Sequence, residues 1–144
     1  MQLKGKYAGI SLYDGSSDNL IREAHSHEIQ LQSEKVDGTR FLDEYQTEVP
    51  IFATWGGSVE AYFDPDDTHF LQLEECARTA QLVTDVVGDG AELRLWLTDS
   101  YYYGGDASVD MTISSSKDSL ITASLTINGA GALNRTTTGT MPTA

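Results

Sequence analysis

Apolar and polar residues alternate with period two along most of the chain. Ala8, Ile10 and Leu12 alternate with Gly9, Ser11 and Tyr13, and Ile29 and Leu31 alternate with Glu28, Gln30 and Gln32. Val49, Ile51, Ala53 and Trp55 form a third set; Val59, Ala61 and Phe63 form a fourth after Gly56-Gly57. Leu93, Leu95 and Leu97 oppose Glu92, Arg94 and Trp96. Val109, Met111 and Ile113 come next, followed by Ile121, Ala123, Leu125 and Ile127. Period two places each set on one face of a strand. The pattern therefore predicts about seven half-buried strands, which suits an antiparallel sandwich or barrel better than a parallel sheet.

The period changes once. Phe70, Leu73, Ala77 and Ala80 recur at three- and four-residue spacing, giving one apolar helical stripe. Asp64 is a candidate N-cap, Pro65 suits the first helical position, and Asp66 and Asp67 complement the positive end of the helix dipole. The expected fold is mainly β, an antiparallel β-sandwich or barrel with one flanking α-helix at about 65–81. Between these elements lie Asp14–Ala24 and a long charged loop at about 34–48 that carries Phe41, Leu42 and Tyr45. One domain is expected over 1–133, with a Thr-rich tail at 134–144 expected to be flexible.

Composition sharpens this in two ways. The 144 residues carry a net charge of −13, and between Phe41 and Ala77 there are nine acids and no Lys or Arg. Such a surface repels a phosphate backbone, whose binding needs clustered cations. No apolar run approaches the roughly 20 residues of a membrane span or the length of a signal peptide. A soluble chain made in a cytoplasm is expected. Cys76 is the only cysteine, so no internal disulfide can form, and its place on the apolar helical stripe suits a small buried hydrophobe.

Candidate chemistry is sparse. His25-x-His27-Glu28 puts two histidines at alternate strand positions, but a zinc site needs three or four ligands, and a pair of surface histidines is the simpler reading. Asp64-Pro65-Asp66-Asp67 lacks the spacing of a calcium loop, and helix capping accounts for it. No G-x-S-x-G elbow occurs, and Gly88-Asp89-Gly90 reads as a turn rather than a phosphate loop. No catalytic residue, metal site or cofactor is expected. Tyr101-Tyr102-Tyr103 with Trp96 leaves one binding alternative, a carbohydrate-recognition or adhesin-like β-sandwich.

The stretch from Ser108 to Leu133 reads as two strands around a short turn. One face is aliphatic; the other presents Ser108, Asp110, Thr112 and Ser114, then Thr122, Ser124 and Thr126. This closing segment, "YYYGGDASVDMTISSSKDSLITASLTINGAGAL", together with "GSVEAYFDPDD" leading into the helix, resembles the major tail (tail tube) proteins of tailed bacteriophages over about residues 5–133. Ala123 and Leu125 stand where that family commonly has an aromatic residue.

The resemblance implies a structural virion protein without catalysis, assembled as hexameric rings stacked into a hollow tube for genome delivery. Implied partners are further copies of the chain, a tape-measure protein in the lumen, tail terminator and tail-tip proteins, and DNA passing without specific binding; no membrane is involved. In the position of the family's ring-to-ring stacking loop stand Glu34, Lys35, Asp37, Arg40, Phe41, Leu42, Asp43, Glu44 and Tyr45. The Ser/Thr/Asp strand positions become candidates for a hydrated, non-adhesive lumen wall.

Overall fold

The computed structural model describes residues 9–37 and 48–142. Among these, nine strands form two antiparallel sheets. The first holds β1 (Gly9–Tyr13), β2 (Asp18–Leu20), β5 (Glu92–Trp96), β6 (Tyr102–Gly105) and β9 (Asn134–Thr136), in the order β2-β1-β5-β6-β9. The second holds β3 (Ala24–Asp37), β4 (Glu48–Tyr62), β7 (Ala107–Ser114) and β8 (Thr122–Gly129), in the order β3-β4-β8-β7. The apolar phases found in the sequence meet between the sheets: Ile10, Leu12, Leu93 and Leu95 from one, Val59, Val109, Leu125 and Ile127 from the other. Each is essentially inaccessible, and full burial of such a side chain stabilises by about 1.5–3 kcal/mol. The result is the expected β-sandwich with one main helix.

That helix, α1 (Thr68–Thr79), buries Phe70, Leu73 and Cys76 and packs against β7. It starts three residues later than the sequence predicts. Asp64 and Pro65 open a turn closed by the Asp67 N–H on the Asp64 carbonyl; Asp at the first and Pro at the second position favour such a turn as strongly as a helix start. Asp67 is the N-cap, its carboxylate accepting from the N–H groups of His69 and Phe70 at 3.1 and 3.4 Å. Asp64 instead pairs with Arg22 at 3.0 Å. Ala80, left-handed at φ 55°, ends the helix, and a single-turn α2 (Val83–Val86) follows.

Four further expectations are corrected. Gly56-Gly57 does not separate two strands. Residues 55, 57, 59 and 61 keep one phase, and β4 runs unbroken, paired with β3 throughout and with β8 from Gly56 to Tyr62. The loop expected at 34–48 is shorter, because β3 reaches Asp37 and β4 begins at Glu48. Leu97, expected to continue the inward phase of Leu93 and Leu95, lies past the end of β5, where it is exposed. Finally, Asn134–Thr136 is strand β9, and beyond it Gly139 and Met141 donate backbone hydrogen bonds to Ser100 and Asp99. This segment covers the outer side of the first sheet, so Trp96 is buried although its neighbour Leu95 faces the core.

Candidate functional site

The outward face of the four-stranded sheet is an extended surface that the strand pairing builds from non-adjacent sequence. Cross-strand register aligns Glu28, Ser58, Thr126 and Asp110 in one row. The next row is Ser26, Glu60, Ser124 and Thr112, and on the other side lie Gln30, Gly56, Asn128 and Ser108. Thr122 and Ser114 pair at the end of the sheet, beside Tyr62. All seven Ser/Thr/Asp positions singled out in β7 and β8 thus share one surface.

Two hydrogen bonds cross it. The Ser124 hydroxyl donates to Glu60 at 2.9 Å and the Asn128 amide to Asp110 at 3.2 Å, so two of the three carboxylates are held by neutral donors. Segments 24–33, 54–62, 107–114 and 122–129 contain no Lys or Arg. Three arginines are paired with acids elsewhere: Arg22 with Asp64, Arg78 with Glu74, and Arg94 with Asp18 and Glu92. Arg94 is further enclosed by the rings of Tyr13 and Tyr102, 4.2 and 4.7 Å from its guanidinium carbon. Over those segments the face is polar to acidic and carries no Lys or Arg to neutralise a phosphate.

Its relief comes from glycine. A Cβ on Gly57 would lie 2.0 Å from the Glu28 carbonyl oxygen, and one on Gly56 2.6 Å from that of Ile127. Here β4 is pinched between its neighbours, leaving a hollow of about 460 Å³ edged by Gln30, Gln32, Thr54 and Asn128. Behind it Trp55 fills the space vacated by Gly105 and Gly129, and its indole N–H donates to the Gly131 carbonyl at 3.3 Å.

The other candidates are not brought together. His25 is the extra residue of a β-bulge and stacks on Tyr62, whereas His27 points inward and is half-buried. Among the described residues, no group of three or more His, Cys, Asp or Glu is placed to hold a metal ion. Cys76 is buried among core residues, and desolvation pushes its thiol up to about 11. Trp96 and Tyr102 stack on each other 4.5 Å apart inside the protein, so neither offers a platform to a sugar ring. Of the candidate stacking residues, Glu34, Lys35 and Asp37 belong to β3; Arg40, Phe41, Leu42, Asp43, Glu44 and Tyr45 lie outside the described residues.

Sequence reasoning missed the share of this face contributed by β3 and β4, notably Ser26, Glu28, Ser58 and Glu60. The signal was present in their period-two placement opposite Ile29, Val59 and Ala61, but only strand pairing aligns them with β7 and β8.

The sequence matches no family model and no curated protein. Solved structures do match. The tail of an empty gene transfer agent particle, refined with sixfold helical symmetry, is 20% identical at a TM-score of 0.70, over 92% of this chain and 98% of that one. The SPP1 tail tube is 11% identical at 0.68, over 98% of this chain and 81% of its own. The baseplate of the anti-feeding prophage is 6% identical at 0.58, over 94% and 93%. The chain has the fold seen in these tail structures of phage-like particles.

Proposed function

We propose that this chain is a structural tail-tube subunit of a virion or related particle. It assembles as hexameric rings that stack into a hollow conduit, with the β3-β4-β8-β7 polar face toward the lumen. The observation that carries this reading is that face: Ser, Thr, Asn and Gln with three carboxylates and no Lys or Arg over residues 24–33, 54–62, 107–114 and 122–129, on a fold shared with solved tail structures.

A wall that conducts a polyanion must not retain it. A cationic wall gains affinity with every phosphate it neutralises, whereas hydrated hydroxyls and carboxylates leave the counterions on the nucleic acid. Catalysis is not part of this reading, and neither is a cofactor. The fitting partners are further copies of the chain, a tape-measure protein that occupies the lumen during assembly, and terminator and tip proteins at the two ends.

Negative-stain electron microscopy across a concentration series, with light scattering alongside, tests the proposal. Stacked rings with a hollow centre are expected. A chain that stays monomeric at every concentration, and binds a glycan in a screen, would favour the recognition-module alternative.

A further inference from the structure

Gly56 faces outward on the polar sheet and is the one outward position of β4 from Thr54 to Tyr62 without a side chain. Longer residues stand around it: Gln30 and Asn128 directly across on β3 and β8, Thr54 and Ser58 along β4, and Gln32 and Glu28 on the diagonals. No side chain can fill the gap by substitution, because a Cβ on Gly56 meets the Ile127 carbonyl oxygen at 2.6 Å. The hollow of about 460 Å³ is thus a bare peptide plane inside a ring of amides, hydroxyls and one carboxylate.

That ring is richer in acceptors than in donors. Asn128 commits its amide N–H to Asp110 at 3.2 Å, which turns its carbonyl oxygen away from that carboxylate. Glu28 brings the carboxylate of the ring, in one register row with the hydroxyls of Ser58 and Thr126. Over residues 24–33, 54–62, 107–114 and 122–129 the acids are Glu28, Glu60 and Asp110, with no Lys or Arg. Of the two histidines there, His25 stacks on Tyr62 and His27 points inward. A fitting ligand donates several hydrogen bonds, carries positive charge and is flat enough to lie on a peptide plane.

We propose that this hollow binds the guanidinium of an arginine side chain presented by a second protein. A guanidinium holds five N–H donors in a planar fork, is weakly hydrated, and pairs with a carboxylate through two parallel bonds. The lysine ammonium is compact and strongly hydrated, and matches neither the plane nor the fork. The choice of partner rests on the tube reading. With this face inward the hollow repeats along the lumen, and its occupant is an arginine-bearing face of the protein that fills the lumen before nucleic acid passes. The wall then holds a basic protein at one point per subunit, while the same acceptors give a phosphate nothing to pair with.

The probe is a helical peptide of alanine and glutamine with one arginine, titrated into the isotope-labelled wild-type chain below its assembly concentration and followed by amide NMR shifts. The same peptide with lysine or citrulline in that place is run beside it. Shifts centred on Gly56 and Asn128 are expected, with arginine binding several-fold more tightly than lysine and citrulline not measurably. Glu28→Gln should weaken arginine binding roughly tenfold, the loss of one charge-assisted pair. Glu60→Gln, two side-chain rows from Gly56, should weaken it by about twofold or less. Both positions are exposed, so unfolding midpoints stay at the wild-type value. Lysine bound as tightly as arginine, equal losses at Glu28 and Glu60, or no shift at Gly56 would reduce the hollow to part of a diffuse acidic surface and overturn the site, while the tube stands. Arginine bound at Gly56 by a chain that never forms tubes would keep the site and overturn the lumen partner.

Discussion

Ser124 and Glu60 join across the polar sheet by a 2.9 Å hydrogen bond from hydroxyl to carboxylate, on adjacent strands and in one register row. The bond shows how this surface carries charge: its acids are spread out, and Glu60 and Asp110 each accept from a neutral donor. Replacing Glu60, Asp110 and Thr126 by Lys converts the wall to a cationic one. All three are exposed in the subunit, so folding and assembly should persist, each change staying within about 0.5 kcal/mol. Assembled tubes should instead retain duplex DNA, with affinity falling steeply as salt rises, by a log–log slope of roughly −0.9 per phosphate engaged. Filter retention over a salt series checks this, and variant tubes that retain no more DNA than wild type would count against the lumen assignment.

Gly129 lies against Trp55 so closely that a Cβ there would stand 2.3 Å from the indole. Gly129→Ala should destabilise by about 1–3 kcal/mol through overpacking. Urea denaturation followed by tryptophan fluorescence measures it, and the same scan on Gly131→Ser, where a Cβ meets no atom within 4 Å but φ is +87°, separates crowding from backbone strain.

On the opposite sheet, the buried Trp96 indole N–H donates to the Ser11 hydroxyl at 2.8 Å, both residues being fully inaccessible. Ser11→Ala removes the acceptor and leaves a buried donor without a partner, which costs about 1–3 kcal/mol. A denaturation midpoint unchanged from wild type would show that Trp96 finds another acceptor.

His27 gives the fold a pH dependence of defined sign. Its ring is half-buried, its Nε2 has no hydrogen-bond partner, and desolvation lowers its pKa from the ordinary 6.5. The unfolded chain takes up a proton near that value while the folded chain still refuses it. Stability is therefore complete above pH 6.5 and is lost as pH falls below it toward the folded value, by at most about 1.4 kcal/mol per pH unit for one group. His27→Gln should flatten this part of the profile when thermal midpoints are compared between about pH 7.5 and 5.5.

Legibility of the fold in the sequence followed the length of each periodic segment. The inward residues of β8 were readable because burial imposes a period on Ala123, Leu125 and Ile127, and Leu93 and Leu95 in β5 and Phe70 and Leu73 in α1 show the same effect over shorter runs. Strands of three residues, β2 and β9, carry too few positions to show a period, and β9 sits on an edge where its Asn, Arg and Thr face solvent. Gly56-Gly57 misled because paired glycines ordinarily mark a turn; here they answer a pinch between β3 and β8 that exists only in three dimensions. The polar wall was half visible. Its β7–β8 part follows from one hairpin, but the alignment of Glu28 and Glu60 with it depends on pairings across 64 residues or more, as between Glu60 and Ser124.

A cryo-electron microscopy reconstruction of the assembled wild-type chain tests the central claim most directly. The account predicts a hollow tube of stacked sixfold rings, with Glu60, Ser124, Thr126 and Asp110 facing the lumen. A solid assembly, or a tube with this face turned to the outside, would contradict it.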